Sequence, residues 1–248
     1  ILDEAEWGTL VWEYLQNEDG SIHFGTETKG YPDPFAIPMD QDDKKYGTVL
    51  TDPRATCTAA GLFLHLARLL RPYKPERAEA LTGRAERAFN QSKGEMATPE
   101  KLYYYMQKYL LTGDDSAHEE VKKLYPVVDS LKYHLFVTQG YSLNDEQFDN
   151  PAYFFSYLIE KEKPTDPVIA GFFRKALQEA ADSSIGMLKT YAFPVANPTD
   201  AKSWGHNVKQ PQYAGPLMLQ WSLTGDHDFI DAAADMMDYK LGLNPIGI

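Results

Sequence analysis

Leu111-Thr112-Gly113-Asp114 and Leu223-Thr224-Gly225-Asp226 are two copies of one tetrapeptide in a chain of 248 residues. An apolar pattern with helical spacing precedes each copy, and another follows it. Glycine adopts the left-handed backbone conformation that ends many helices, and an aspartate side chain can cap the first turn of the next helix. Each copy therefore predicts a tight corner between two helices, and the pair indicates repeated helical hairpins.

Further helix starts are marked by a short polar residue followed by proline. The polar side chain accepts hydrogen bonds from free backbone N–H groups, and proline suits the first turn because it has no N–H to satisfy. Such pairs occur at Asp52-Pro53, Thr98-Pro99, Asn150-Pro151 and Asp166-Pro167. Apolar residues then recur at helical spacing, with little of the alternation that is typical of strands. The sequence therefore predicts an all-α fold.

Three long polar stretches with many aromatic residues separate the predicted helices. They cover residues 17–51, 138–150 and 191–212. Loops of this length in a helical domain usually carry function. Short corners that alternate with long loops favour an α-toroid, in which helical pairs surround an axis and the loops form a cleft at one end.

The charge balance and the cysteine content limit the function classes. Lys and Arg total 24 against 36 Asp and Glu, which gives a formal charge of −12. Nucleic acids and anionic membranes bind cationic surfaces, so we expect neither as a partner, and no apolar run is long enough to span a membrane. Cys57 is the only cysteine, which excludes an internal disulfide and a cysteine-rich metal site. Phosphate-binding and serine-nucleophile motifs are absent, and the sequence predicts neither a metal nor another cofactor.

Both ends of the chain suggest a piece of a longer domain. Ile1-Leu2-Asp3-Glu4 is typical of the entry to a helix, and the closing residues 244–248 are typical of a turn that leads onward. We therefore expect residues 1–248 to form one catalytic-type domain that lacks its N- and C-terminal parts. The compartment, cytoplasmic or secreted, stays open.

Several motifs resemble those of glycoside hydrolase family 9, the inverting cellulase-type enzymes. The C-terminal part has Trp204-Gly205-His206-Asn207, then the second Leu-Thr-Gly-Asp corner, then Asp-Tyr-Lys-Leu-Gly-Leu-Asn-Pro at residues 238–245. Near the start, residues 2–8 and 17–21 resemble the helix and the Asp-Gly turn of that family. The resemblance implies an (α/α)6 barrel, incomplete in this chain, and hydrolysis of β-1,4-glycosidic bonds.

An inverting glycosidase needs a carboxylate base that activates water and a carboxylic acid that protonates the leaving oxygen. In the resembled family the base belongs to an Asp-x-Gly-Asp motif that precedes the segment seen here, and the acid is a glutamate beyond the Asn-Pro turn. This chain has no Asp-x-Gly-Asp motif and ends at that turn. We therefore expect both catalytic residues outside residues 1–248, and we expect the isolated segment to be inactive and to associate through exposed apolar surface.

The resemblance implies that this segment supplies the walls of a saccharide cleft. Aromatic rings stack on the apolar C–H face of a pyranose, and polar side chains bind its hydroxyls. The candidate substrate-binding residues are Tyr46, Asp52, Arg54, Tyr103, Phe148, Asp149, Trp204, His206 and Asn207. The alternatives are packing for the aromatic residues and helix capping for Asp52, which could otherwise pair with Arg54. Trp7, Trp12 and Trp221 lie in helical patterns and are predicted core residues.

The substrate is left between two classes. The stretches at residues 30–35 and 44–47 resemble a bacterial branch that acts on chito-oligosaccharides or glucosamine-containing disaccharides, whereas other relatives act on cello-oligosaccharides. An acidic chain would attract a protonated glucosamine. Two other functions stay open, namely a non-catalytic glycan-binding α-toroid and a polysaccharide lyase or isomerase.

Overall fold

The computed structural model describes residues 1–28, 45–96, 98–130, 154–190, 194 and 214–242. The chain divides into two compact units, Ile1–Val121 and Lys122–Ile248, which we describe separately. The predicted helix start at Asn150-Pro151 lies outside the described residues. So do five candidate substrate-binding residues, Phe148, Asp149, Trp204, His206 and Asn207.

The described part of the chain contains nine helices and one two-stranded sheet, in agreement with the predicted all-α class. The helices of the first unit are α1 (Leu2–Tyr14), α2 (Pro53–Leu70), α3 (Pro75–Ser92) and α4 (Thr98–Thr112), and the strands are β1 (Thr26–Thr28) and β2 (Tyr46–Thr48). The boundary between the units falls within α5 (Asp115–Ser130), and α6 (Phe155–Leu158), α7 (Pro167–Leu188), α8 (Ala214–Thr224) and α9 (His227–Lys240) follow.

Both predicted Leu-Thr-Gly-Asp corners are confirmed. Gly113 and Gly225 have φ angles of 75° and 72°, in the left-handed region. The N–H of each glycine donates to the carbonyl oxygen four residues earlier, at 2.7 Å in both corners. Asp114 and Asp226 each accept a hydrogen bond from the backbone N–H two residues later, at 2.9 and 3.1 Å. The same four residues thus build the same corner twice.

Two of the predicted caps, Asp52 and Asp166, are also confirmed, whereas α4 begins at Thr98 itself. Asp52 Oδ1 accepts from the backbone N–H of Ala55 at 2.8 Å, and Asp166 Oδ1 accepts from that of Val168 at 2.8 Å. The prolines that follow occupy the first turns of α2 and α7. Short polar side chains before proline therefore set where these two helices begin.

The core of the first unit lies around α2, which packs on both α3 and α4. Phe63, Leu64 and Leu70 of α2 are fully buried, as is Leu81 of α3. The ring of Tyr104 stacks on Phe89, with 3.9 Å between the ring centroids. This apolar cluster fixes α2, and the start of α2 is hydrogen-bonded to the segment that precedes β1.

The second unit has its own apolar core, built by α7, α8 and α9. Leu217 of α8 and Met236 of α9 are fully buried against Ala181 of α7. Phe173, on the same helix α7, stacks on Phe154 with 5.0 Å between the ring centroids. None of the helices in the described ranges of either unit is both long and apolar enough to cross a membrane.

The prediction of core positions is wrong for two of the three tryptophans. Trp7 is 70% exposed and Trp221 is 38% exposed, whereas Trp12 is partly buried and packs against the core of the first unit. Trp7 shares the outward face of α1 with Val11 and Tyr14, which are also exposed. This helix therefore turns aromatic side chains outward.

Trp7 lies on the outside because the opposite face of α1 directs carboxylates toward α3. Glu6 pairs with Lys74 at 2.7 Å and with Arg77 at 3.0 Å. Glu13, which is nearly buried, binds the guanidinium groups of Arg77 and Arg84. Hydrogen bonds from Lys74 foremost, and then from Arg77, lower the pKa of Glu6. An ionic network thus replaces the apolar contact that the tryptophan pattern predicts.

Candidate functional site

Part of the predicted loop at residues 17–51 is a short antiparallel ladder. Thr26 pairs with Thr48, and Thr28 pairs with Tyr46. The strands have three residues each, which is too short for an alternation pattern to be read from sequence. The ladder places Tyr46, the first candidate for stacking, on a β-strand with 63% of its surface exposed.

Backbone and side-chain hydrogen bonds attach the base of this ladder to the start of α2. The N–H of Asp52 donates to the carbonyl oxygen of Ile22 at 2.9 Å, and the N–H of Ile22 donates to Thr56 Oγ1 at 3.0 Å. Thr56 Oγ1 donates in turn to the carbonyl oxygen of Asp52 at 2.8 Å. Ile22 and Thr56 are buried. These bonds hold the strands against a helix end that is itself fixed in the core.

Asp52 and Arg54 lie at this junction, on and next to the first turn of α2. The carboxylate of Asp52 caps the helix, so the capping alternative is confirmed. Arg54 is exposed in the first turn. The ion pair between the two and their contact with a saccharide stay predictions. Tyr46 on β2 and the pair Asp52 and Arg54 at the start of α2 form a group of candidates on two elements that the hydrogen bonds of Ile22 join.

Tyr103 does not join this group, and the prediction of a stacking platform there is wrong for this structure. The residue is 0% exposed, so its ring offers no face to a sugar. Its hydroxyl is 3.0 Å from Nδ1 of His65. Its ring covers Gly61 so closely that a Cβ atom on Gly61 would lie 2.2 Å from the ring. Tyr103 is therefore a packing residue between α2 and α4, which was the alternative to the stacking role.

His65 is a polar residue to which sequence reasoning gave no role. Burial foremost, and then the charge of Arg68, lower the pKa of His65 to about 4. Arg68 itself donates from Nε to Gln107 Oε1 at 3.3 Å. The signal was present in the sequence, because His65 and Arg68 interrupt the apolar run at residues 59–70. Such interruptions indicate a polar contact inside a helix interface, but they do not identify its partner.

The described part of the chain offers little chemistry for bond cleavage. Burial raises the pKa of the Cys57 thiol to about 11, so at neutral pH it is protonated and a poor nucleophile. No group of three or more histidine, cysteine or acidic side chains among the described residues could hold a metal ion. What the described site does offer is an exposed aromatic ring, that of Tyr46, on a ladder that is hydrogen-bonded to the start of α2.

Comparison with known proteins gives the class of fold. No protein-family model matches the chain, and no curated protein matches it either. Solved structures do: the chain matches a metagenome-derived glycoside hydrolase family 9 endoglucanase over 99% of its own length, with a TM-score of 0.79 and 20% identity. A family 9 glycoside hydrolase from Bacteroides ovatus matches with a TM-score of 0.72 and 20% identity over 98% of this chain. A structure of AaCel9A in complex with cellobiose-like isofagomine matches over 98% of this chain, with a TM-score of 0.73 and 19% identity.

The fold is that of the family 9 glycoside hydrolases, and the predicted (α/α)6-barrel class is confirmed. The chain spans about half the length of these structures, since it covers 46%, 48% and 47% of their chains. The sequence motifs at both ends of the chain and the structural matches thus agree on the class of fold. At an identity near 20%, similarity to these structures shows the fold, and it does not by itself show the activity.

Proposed function

We propose that the chain is part of a cellulase-type glycoside hydrolase that cleaves β-1,4-glycosidic bonds with inversion. The observation that carries the proposal is the match of nearly the whole chain to family 9 endoglucanases. The motifs at residues 204–207 and 238–245 support it independently, because they are features of the sequence alone. In this proposal residues 1–248 contribute substrate contacts, and the catalytic base and acid belong to sequence outside them.

The proposed substrate contacts begin with Tyr46. Its exposed ring can stack on the apolar face of a pyranose, and the ladder that carries it is fixed to α2. Arg54 and Asp52 lie near the base of that ladder and could bind sugar hydroxyls. Phe148, Asp149, Trp204, His206 and Asn207 complete the proposed set.

A cello-oligosaccharide is the substrate class that we favour. One structural neighbour is a complex with cellobiose-like isofagomine, and several are described as endoglucanases. A chito-oligosaccharide or glucosaminide substrate rests on the short stretches at residues 30–35 and 44–47, and on the acidic charge of the chain. Both classes are therefore to be offered in the same assay.

The test is hydrolysis by a protein that joins this chain to the flanking sequence of its gene. Cello-oligosaccharides, chito-oligosaccharides and glucosamine oligomers are offered in parallel, and proton NMR follows the anomer that forms first. We expect release of the α-anomer from a β-linked substrate, as inversion requires. No turnover of any of them would contradict the proposal.

Tyr46→Ala in that protein is expected to raise KM for the oligosaccharide, with Tyr73→Ala as the matched control. Tyr73 is 75% exposed, in the turn between α2 and α3 and away from the ladder. Loss of one stacking contact reduces binding by roughly 0.5–1.5 kcal/mol, which is about two- to twelvefold in affinity. Equal effects of the two variants would argue against a substrate contact at Tyr46.

A further inference from the structure

We propose that the outward face of α9 binds a basic amphipathic helix that belongs to the same polypeptide and lies outside residues 1–248. The inference rests on the proposed function, which assigns the catalytic base and acid to sequence beyond this chain. It goes further, because it states which surface of this chain that sequence covers and which charge the covering helix carries.

The residues of α9, together with Leu241 at its C-cap, form three stripes along the helix. The buried face, which packs on α7 and α8, contains Phe229, Ala232, Ala233 and Met236. The apolar stripe consists of Ile230, Ala234, Met237 and Leu241, and the acidic stripe consists of Asp228, Asp231, Asp235 and Asp238. Residues three and four apart are neighbours on a helix surface, so each stripe is continuous along the axis.

The apolar stripe is open to solvent. Met237 is 39% exposed and Leu241 is 78% exposed. Ala234 is exposed as well, and Ile230 is partly buried where the stripe meets the core of the second unit. Its spacing of four, three and four residues is the spacing by which two helices pack along an apolar seam. A continuous row of exposed apolar residues, unlike scattered single ones, is typical of a surface that binds another element.

The acidic stripe indicates the charge of the partner. Asp231 and Asp235 are four residues apart, and Asp238 follows three residues later, so like charges lie next to one another on an exposed surface. Such pairs destabilise a helix, and a row of cations opposite them would remove that cost. The chain as a whole has a formal charge of −12, so it attracts a basic segment and repels an acidic one.

The order of the stripes gives the arrangement of the complex. At 3.6 residues per turn, the acidic stripe borders the apolar stripe on one side, and the buried face borders it on the other. A helix that packs along Ala234 and Met237 would therefore place its basic side chains on the flank that faces Asp231 and Asp235. An anionic membrane surface would instead be repelled by the acidic stripe.

The occupant that we infer is a helix of the same polypeptide. The chain matches structures of its fold over 98–99% of its own length, but it covers only 46% and 48% of two of those chains. Proteins of this fold thus carry about as many residues again, and these residues must pack on the matched half. A second copy of this chain would bring its own acidic stripe, and like charges across an interface oppose binding.

The test uses a fluorescent synthetic peptide of about 21 residues that forms an amphipathic helix, with leucine along one seam and lysine beside it. A second peptide has glutamate in place of each lysine. Fluorescence anisotropy measures how tightly each peptide binds to the 248-residue chain, and circular dichroism confirms that each variant is folded. We expect the lysine peptide to bind and the glutamate peptide not to bind; the absence of binding by the lysine peptide, or equally tight binding of both, would overturn the inference.

Met237→Ala tests the apolar stripe. Met187→Ala on α7 is the matched control, because both methionine side chains are 39% exposed. We expect Met237→Ala to weaken the binding of the lysine peptide by about fivefold, since an apolar contact is lost, and Met187→Ala to leave it unchanged. Equal effects of the two variants would overturn the assignment of this face.

Asp231→Asn combined with Asp235→Asn tests the acidic stripe. The control, Glu76→Gln combined with Glu79→Gln, removes the same number of exposed charges from α3. We expect the aspartate variant to weaken the binding of the lysine peptide by about fivefold at low salt and by less at high salt. Unchanged binding in this variant, or an equal loss in the glutamate variant, would overturn the assignment of a basic partner.

The longer protein, in which this chain is joined to the flanking sequence of its gene, tests the source of the helix. An attached occupant is present at a high effective concentration, so the lysine peptide should bind the longer protein about tenfold more weakly than it binds the 248-residue chain. Equally tight binding to the two proteins would overturn the inference. So would a flanking sequence that has no helical pattern of apolar residues with Lys or Arg beside them.

These outcomes are distinct from a failure of the proposed function. If the longer protein cleaves cello-oligosaccharides and binds the lysine peptide as tightly as the 248-residue chain does, the enzyme stands and the docking surface is wrong. If it excludes the peptide but cleaves none of the substrates, the docking surface stands and the proposed function is wrong.

Discussion

His65 is a residue whose environment controls its charge, and this has a consequence for stability. Its pKa of about 4 lies below the ordinary value of 6.5, so the folded chain binds fewer protons than the unfolded chain between these two pH values. The contribution of neutral His65 to the free energy of unfolding is therefore fully present above about pH 6.5, and it is lost as the pH falls toward 4.

His65→Gln removes this titration while keeping a group that can contact the Tyr103 hydroxyl. We expect the free energy of urea unfolding to fall less steeply in the variant than in the wild type between pH 6.5 and 4. Unfolding curves at four pH values across this window give the measurement. Parallel slopes for the two proteins would show that other groups dominate the acid response.

Gly61 is the second residue-scale case, because Tyr103 occupies the space where a side chain would be. A Cβ atom there would lie 2.2 Å from the tyrosine ring. We expect Gly61→Ala to destabilise the chain by about 1–3 kcal/mol in urea unfolding. Gly83→Ala is the matched control in α3: the nearest atom is 3.8 Å away, at the end of the Arg87 side chain. It should instead stabilise by roughly 0.5–1 kcal/mol through helix propensity.

The pair Gly61 and Tyr103 also shows where sequence reasoning stops at this scale. A tyrosine triplet at residues 103–105 on a helix must place some rings in the core, but the pattern does not say which. The choice depends on a glycine in another helix. Gly61 in the middle of the predicted helix indicates that another group approaches the backbone closely, but the sequence does not identify that group.

At the scale of elements, the ionic network between α1 and α3 makes a second kind of prediction. Glu13 is nearly buried and binds two guanidinium groups, so Glu13→Gln leaves both without their full counter-charge. We expect a loss of about 2–4 kcal/mol in unfolding free energy. Glu4→Gln, on an exposed position of the same helix, is the control and should change it by less than about 0.5 kcal/mol.

Urea is the denaturant for this comparison, because guanidinium chloride would screen the ion pairs. Repeating it in high salt separates the exposed pair of Lys74 and Asp3, which should weaken, from the buried contacts of Glu13, which should persist. A Glu13→Gln effect as small as that of Glu4→Gln would mean that α1 is held by its packing on α2 alone.

The elements themselves were predictable to different degrees. Corners and proline-capped starts were read correctly because each depends on a few neighbouring residues, as at Gly113 and Asp52. The strands were missed because three residues carry no period. The orientation of α1 was wrong because Glu6 and Glu13 find their partners about seventy residues away, and no local pattern contains that information.

At the scale of the whole molecule, the division into two units predicts independent folding of the first. Phe63, Leu64, Leu81 and Tyr104 form a buried core within residues 1–121, and the β1–β2 ladder is tied to α2 in the same unit. A truncated chain of residues 1–130 keeps α5 whole. We expect it to unfold cooperatively.

Thermal unfolding followed by circular dichroism measures this expectation. A truncated chain that lacks a cooperative transition would show that the core around α2 needs the second unit to fold. Burial of apolar side chains stabilises at about 25 cal/mol per Å². The first unit should therefore keep the stability that its own helices α2, α3 and α4 generate by packing on one another.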